Sequence, residues 1–111
     1  MKLGNVTHPV ADVAAAAAFY RDGLGIETKF VDGDRYAALD AGGTTLALAA
    51  PEEDLAERVA ASFKVPDVTA ALHAIEHAGG RVVRPVEQGA HEIRAVAADP
   101  WGNIFVVYGP R

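Results

Sequence analysis

Along the chain, short apolar runs of strand length alternate with two alanine-rich stretches whose apolar residues recur at helical spacing. Leu3–Val10 places Val6, His8 and Val10 on one parity and Asn5 and Thr7 on the other, the period-two pattern of a strand. Asp12–Leu24 then reads as a helix. Asp12 supplies an N-cap, Ala14–Ala18 have the highest helix propensity and let the helix lie close on a sheet, Phe19, Tyr20 and Leu24 form its heavier side, and Gly25 stops it. Ile26–Val31, Arg35–Asp40 and Thr44–Ala50 read as three further strands, separated by Asp32-Gly33-Asp34 and Ala41-Gly42-Gly43. The order is βαβββ.

The chain then repeats itself. A displacement of 55 residues lays Val10, Asp12, Val13, Ala15, Ala16 and Gly25 onto Val65, Asp67, Val68, Ala70, Ala71 and Gly80. A displacement of 59 lays Asp40-Ala41-Gly42-Gly43-Thr44 onto Asp99-Pro100-Trp101-Gly102-Asn103. The four-residue difference is an insertion in the second copy between Gly80 and Asp99, where loops tolerate added length. The second copy is thus a strand ending near Val65, a helix Asp67–Ala78 stopped by Gly79-Gly80, and strands Arg81–Pro85, Glu92–Ala98 and Asn103–Tyr108. Residues 52–58 are expected to form a connecting helix, with Glu52, Glu53 and Asp54 complementing its N-terminal dipole. The expected fold is α+β: module one 1–51, the connecting helix, and module two 59–111, in a single domain.

Composition narrows the function. With 111 residues, 50% hydrophobic and 23% charged, the chain has room for one domain and enough apolar surface to fold. The absence of Cys removes disulfides, thiolate nucleophiles, Fe–S clusters and Cys-zinc sites. No apolar run approaches the length of a membrane span and the first residues lack a signal-peptide core, so a cytoplasmic protein without membrane contact is expected. A net charge of −5 sets nucleic acid aside as a partner and mildly favours a cationic ligand.

The duplicated frame, with Asp12…Phe19-Tyr20-Arg21-Asp22…Leu24-Gly25 early and Asp99-Pro100-Trp101-Gly102-Asn103 late, resembles the vicinal oxygen chelate superfamily, whose members include glyoxalase I, bleomycin-resistance proteins, extradiol dioxygenases and methylmalonyl-CoA epimerase. The resemblance covers nearly the whole chain. It implies a curved mixed sheet around a cleft, commonly in a homodimer. Members that use a metal place one ligand on the first and one on the last strand of each module. Carried onto this sequence, those positions are Asn5, Ala47, Ala60 and Val106. Three have no donor atom, whereas divalent transition metals need imidazole or carboxylate. No metal and no cofactor are therefore expected.

The strand faces opposite the helices would line such a cleft. They hold Asn5 and Thr7, then Thr45, Ala47 and Ala49, then Ile104, Val106 and Tyr108, a mostly apolar wall in which the alanines leave room. Tyr36, Trp101 and Tyr108 could stack on a flat or cationic ligand, Trp101 alternatively covering the sheet end. His91 beside Glu92, in the polar stretch 87–94, is the candidate acid–base residue, although strand neighbours point to opposite faces. His8 shares parity with the residues under the helix, and His73 and His77 lie on the solvent side of theirs. The expected ligand-binding set is Asn5, Thr7, Tyr36, Ala47, His91, Trp101, Val106 and Tyr108, in a metal-free protein that sequesters a small molecule as bleomycin-resistance proteins do. The alternatives are a metal-free isomerase, lyase or cyclase using His91, Asn5 or Tyr36, and a purely structural dimerisation domain.

Overall fold

The computed structural model describes residues 1–111. Its elements are β1 (Lys2–Pro9), α1 (Val13–Leu24), β2 (Glu27–Asp32), β3 (Tyr36–Asp40), β4 (Thr45–Ala49), β5 (Ala60–Lys64), α2 (Val68–His77), β6 (Arg81–Gln88), β7 (Ile93–Ala98) and β8 (Ile104–Gly109). The fold is α+β and the βαβββ order occurs twice. Residues 5–59 form one compact unit, and residues 1–4 with 60–111 form the other.

In the unit of residues 5–59 the strands lie in the order β2-β3-β4-β1, with β1 parallel to β4 and the other pairs antiparallel. The Asp12 carboxylate accepts from the Ala15 N–H at 3.0 Å and opens α1. Gly25 closes it at φ 71°, a left-handed residue. Val13, Ala16, Ala17 and Tyr20 of α1 pack on Ala37, Leu39, Leu46 and Leu48 of β3 and β4. Alanine at 16 and 17 brings the helix close to the sheet. The heavy side expected from Phe19, Tyr20 and Leu24 is reduced to Tyr20. Phe19 stacks edge-on against Tyr20 yet is 66% exposed, and Leu24, at the helix end where the sheet no longer faces it, is 70% exposed.

The other unit repeats the plan with β5-β8-β7-β6 and α2. Asp67 caps α2 through the Ala70 N–H, and Val68, Leu72 and Ile75 pack on Ala95, Ala97, Phe105 and Val107. The left-handed residue here is Gly79, at φ 104°, so the structural counterpart of Gly25 is Gly79 and not Gly80. Gly80 serves close packing: a Cβ there would lie 2.7 Å from the Ala98 carbonyl oxygen.

Two expectations about connections change. Residues 52–58 hold no helix; a single 3-10 turn, Pro51–Glu53, is followed by bends. The Asp54 side chain accepts from the Glu57 N–H at 2.9 Å and Glu57 sits at φ 60°, so a local side-chain turn outcompetes helix extension. The extra length of the second copy is not confined to a loop. It lengthens β6 to eight residues against six in β2, with register shifts between Val82 and Arg84 and between Arg84 and Glu87. No helix is long and apolar enough to cross a membrane.

Candidate functional site

In each unit the strands have a face against the helix and a face turned away, and the second carries the distinctive chemistry. In the unit of residues 5–59, strand pairing aligns Asp32, Tyr36 and Ala49 across β2, β3 and β4, and in the adjoining row Phe30, Ala38 and Ala47. The Phe30 and Tyr36 rings are 6.4 Å apart, and Phe30 is 53% exposed. On β1 of the same face, the Thr7 hydroxyl donates to the Asn5 side-chain oxygen at 2.8 Å, and Thr7 pairs in register with Ala47. This is an aromatic and hydroxyl-bearing surface. Ala47 and Ala49, expected to leave room, are closed to solvent.

In the other unit the corresponding face is charged. Pairing aligns Glu87, Arg94, Tyr108 and Lys64 across β6, β7, β8 and β5, and next to them Arg84, Val96, Val106 and Ser62. The two shifts in β6 turn Arg81, Arg84 and Glu87 toward one face although they are spaced by three residues. Glu87 accepts from Arg84 at 3.2 Å and from Arg94 at 3.3 Å, and Glu92 meets Arg94 at 3.5 Å. The Arg94 side chain is only 15% exposed. Burial, and after it the Glu92 carboxylate, push the Tyr108 phenol above its ordinary value. The Tyr108 ring also crosses Gly4, where an added Cβ would land on the phenol oxygen.

The remaining candidates fall in different places. His91 is exposed in the turn between β6 and β7, and its neighbour Glu92 is engaged by Arg94, so the two do not form a base pair. Val106 is buried beside Ser62. Trp101 is 84% exposed and covers nothing. Its turn is nevertheless tightly built: Asp99 accepts from the Trp101 and Asn103 N–H groups at 2.9 Å and from the Asn103 amide at 2.8 Å, which holds its carboxyl below the usual range. His8 meets the Tyr20 hydroxyl at 3.0 Å under α1, a packing histidine as its parity implies. His73 and His77 are exposed on α2. Sequence parity missed Arg84, Glu87 and Arg94 as one cluster, because the β6 irregularities defeat period-two counting. The only signal was the polar stretch 87–94. A shallow depression of about 380 Å³ also lies at the start of α1, lined by Asp12, Asp34 and Glu52 among others.

The positions at which metal-using members of the resembled superfamily carry donors can be judged one unit at a time. On β1 and β4 stand Asn5, whose oxygen already accepts from Thr7, and Ala47; on β5 and β8 stand Ala60 and Val106, both buried hydrocarbon. This donor set does not fit a divalent transition metal.

Two α/β units built on one βαβββ plan define the class to which the comparisons point. The profile of the glyoxalase-like domain family matches residues 5–108, and the chain belongs to that family. An uncharacterized protein of Mycolicibacterium smegmatis is 44% identical over 88 residues, 78% of this chain and 76% of its own length. The fold is shared with methylmalonyl-CoA epimerase from Mycobacterium tuberculosis, at 20% identity and TM-score 0.73 over 99% of this chain and 88% of that one. It is shared equally with a glyoxalase/bleomycin resistance protein/dioxygenase superfamily member from Vibrio splendidus, at 18% identity and TM-score 0.70 over 94% and 95%. Such identities carry the fold alone.

Proposed function

We propose that this chain is a metal-independent binding protein of the glyoxalase and bleomycin-resistance type, a cytoplasmic homodimer that sequesters a small, partly aromatic molecule against the sheet faces turned away from its helices. The observation that carries this reading is the donor set: an amide already hydrogen-bonded to Thr7, and three hydrocarbon side chains, stand where metal-using members hold their ion. Binding chemistry is present on the same faces, as the Phe30–Tyr36 ring pair in one unit and the Tyr108–Arg94 row in the other. A metal-free isomerase, lyase or cyclase working through His91 has less support, since that imidazole is exposed and Glu92 is committed to Arg94.

Thermal-shift and calorimetric screening against small aromatic acids, amines and alcohols tests the reading. A saturating ligand raises the melting temperature with concentration, as mass action requires. Elemental analysis after dialysis should find no stoichiometric Zn, Ni, Fe or Mn, and sedimentation equilibrium should give a dimer. Retained metal in a one-to-one ratio, or turnover lost in His91→Ala with the fold intact, would overturn the proposal.

A further inference from the structure

We infer that the outer surface of α2 binds a divalent transition metal in exchangeable fashion, Cu²⁺ above all, through His73 and His77; this goes beyond the binding reading above and involves none of the sheet positions. The two imidazoles stand four residues apart on one helix. Their Cβ atoms are therefore neighbours one turn apart, at about 6 Å, the spacing with which a helix offers two histidines to one zinc ion. Val68 and Leu72 are buried and Ile75 packs beside them, which turns His73 and His77 outward, and both are exposed. Neither imidazole is spent on a hydrogen bond or an ion pair, whereas His8 meets the Tyr20 hydroxyl. Both rings are thus free to turn about their side-chain bonds and bring a nitrogen each to the same ion.

The setting favours a cation. His77 is the last residue of α2, at the end where the backbone carbonyls leave partial negative charge, and the exposed Glu76 stands next to it. Two nitrogen donors with the remaining positions left to water or a small ligand suit Cu²⁺ and Ni²⁺, and the general order of affinities puts Cu²⁺ first. Two donors hold an ion exchangeably, so a chelator removes it. An ion bridging His73 and His77 also spans the last turn of α2. The amides that follow, of Ala78, Gly79 and Gly80, bond back to the carbonyls of Ala74, Glu76 and Ile75, and the bridge would tighten them. Only the second copy has this pair: a displacement of 55 residues leads to Ala18 and Asp22 on α1, and Asp22 is bonded to Arg21.

The chain carries a reporter for this site. Its one tryptophan, Trp101, follows Pro100, and an added Cβ at Gly79, two residues beyond His77, would lie 3.6 Å from the Pro100 ring. Cu²⁺ bound at the end of α2 should therefore quench Trp101 fluorescence, saturating at one ion per chain and reversing with chelator. In calorimetry of the full chain with Cu²⁺ and with Ni²⁺, His73→Ala and His77→Ala are each expected to weaken binding about tenfold or more, with Cu²⁺ tighter than Ni²⁺ throughout. Thr69 is exposed one turn before His73, so Thr69→His in the His77→Ala chain rebuilds the spacing and should restore the affinity. All three are surface changes, and an unaltered melting temperature without metal shows that the fold is kept. Quenching and affinity that persist in His77→Ala, or that Thr69→His fails to restore, would overturn the assignment and leave the metal-independent reading standing. Metal held against chelator after both histidines are replaced would overturn the two together.

Discussion

Gly4→Ala isolates the contact that seats Tyr108. Gly4 lies outside the left-handed region, so its backbone accepts alanine, and by unfolded-state entropy alone the change should stabilise by about 0.4–1 kcal/mol. The new Cβ, however, occupies the position of the Tyr108 phenol oxygen. Overpacking of this kind costs about 1–3 kcal/mol, and the lower half applies because the obstacle is the far end of a side chain that can swing out. The net expectation is a loss of about 1 kcal/mol. At ~2.1 cal/mol/K per residue over 111 residues, this lowers the melting temperature by about 4 °C.

A double-mutant cycle separates the clash from any backbone effect. In a Tyr108→Ala background, Gly4→Ala should become neutral or stabilising, a coupling of about 1.5 kcal/mol measured by urea unfolding. Titration of tyrosinate absorbance gives a second reading. Burial raises the Tyr108 phenol in the folded protein, so this stabilisation is complete below the ordinary tyrosine value near 10 and is lost as pH climbs through the raised one. With the ring displaced to water in Gly4→Ala, that tyrosine should titrate earlier and the alkaline loss should shrink. Equal destabilisation by Gly4→Ala with and without Tyr108, or an unchanged titration, would refute the argument.

Other expectations follow from the same structure. Leu48→Ala, at a position fully closed to solvent under α1, should cost about 3–5 kcal/mol and lower the melting temperature by more than 10 °C in calorimetry. Tyr20→Phe removes the hydroxyl that meets His8 and should cost about 1 kcal/mol in urea unfolding, with ligand affinity unchanged. Asp99→Asn should loosen the turn around Trp101, seen as faster amide exchange at residues 101–103. In the unaltered protein the same loosening should develop as pH falls through the lowered Asp99 value, because that carboxylate stabilises the turn fully above its unfolded value and the stabilisation is gone once pH lies below the lowered one.

Much of the fold could be read from neighbouring residues. Asp12 and Asp67 each bond an N–H three residues on, so their capping role is written within one turn of helix. The parity of β1 and β4 correctly separated His8 and Leu48, under α1, from Thr7 and Ala47 on the other face. The failures also have local causes. The acidic run after Pro51 resembles a helix start, but one Asp54 side-chain bond diverts it. Trp101 is large enough to suggest packing, yet nothing nearby in sequence says whether a turn faces a core.

The amino-acid sequence alone determined the duplicated βαβββ order, the helix N-caps and the turn positions, because each of these depends on residue type or on spacing within a few residues. Only the tertiary structure decided which charges meet. Arg94 finds Glu87 across β6 and β7, and Arg81, Arg84 and Glu87 share a face, through two register shifts that no alternation rule anticipates. Pairing register is a property of two strands together, and it settles which side chains stand next to one another and which, like Ala47, are closed off from water.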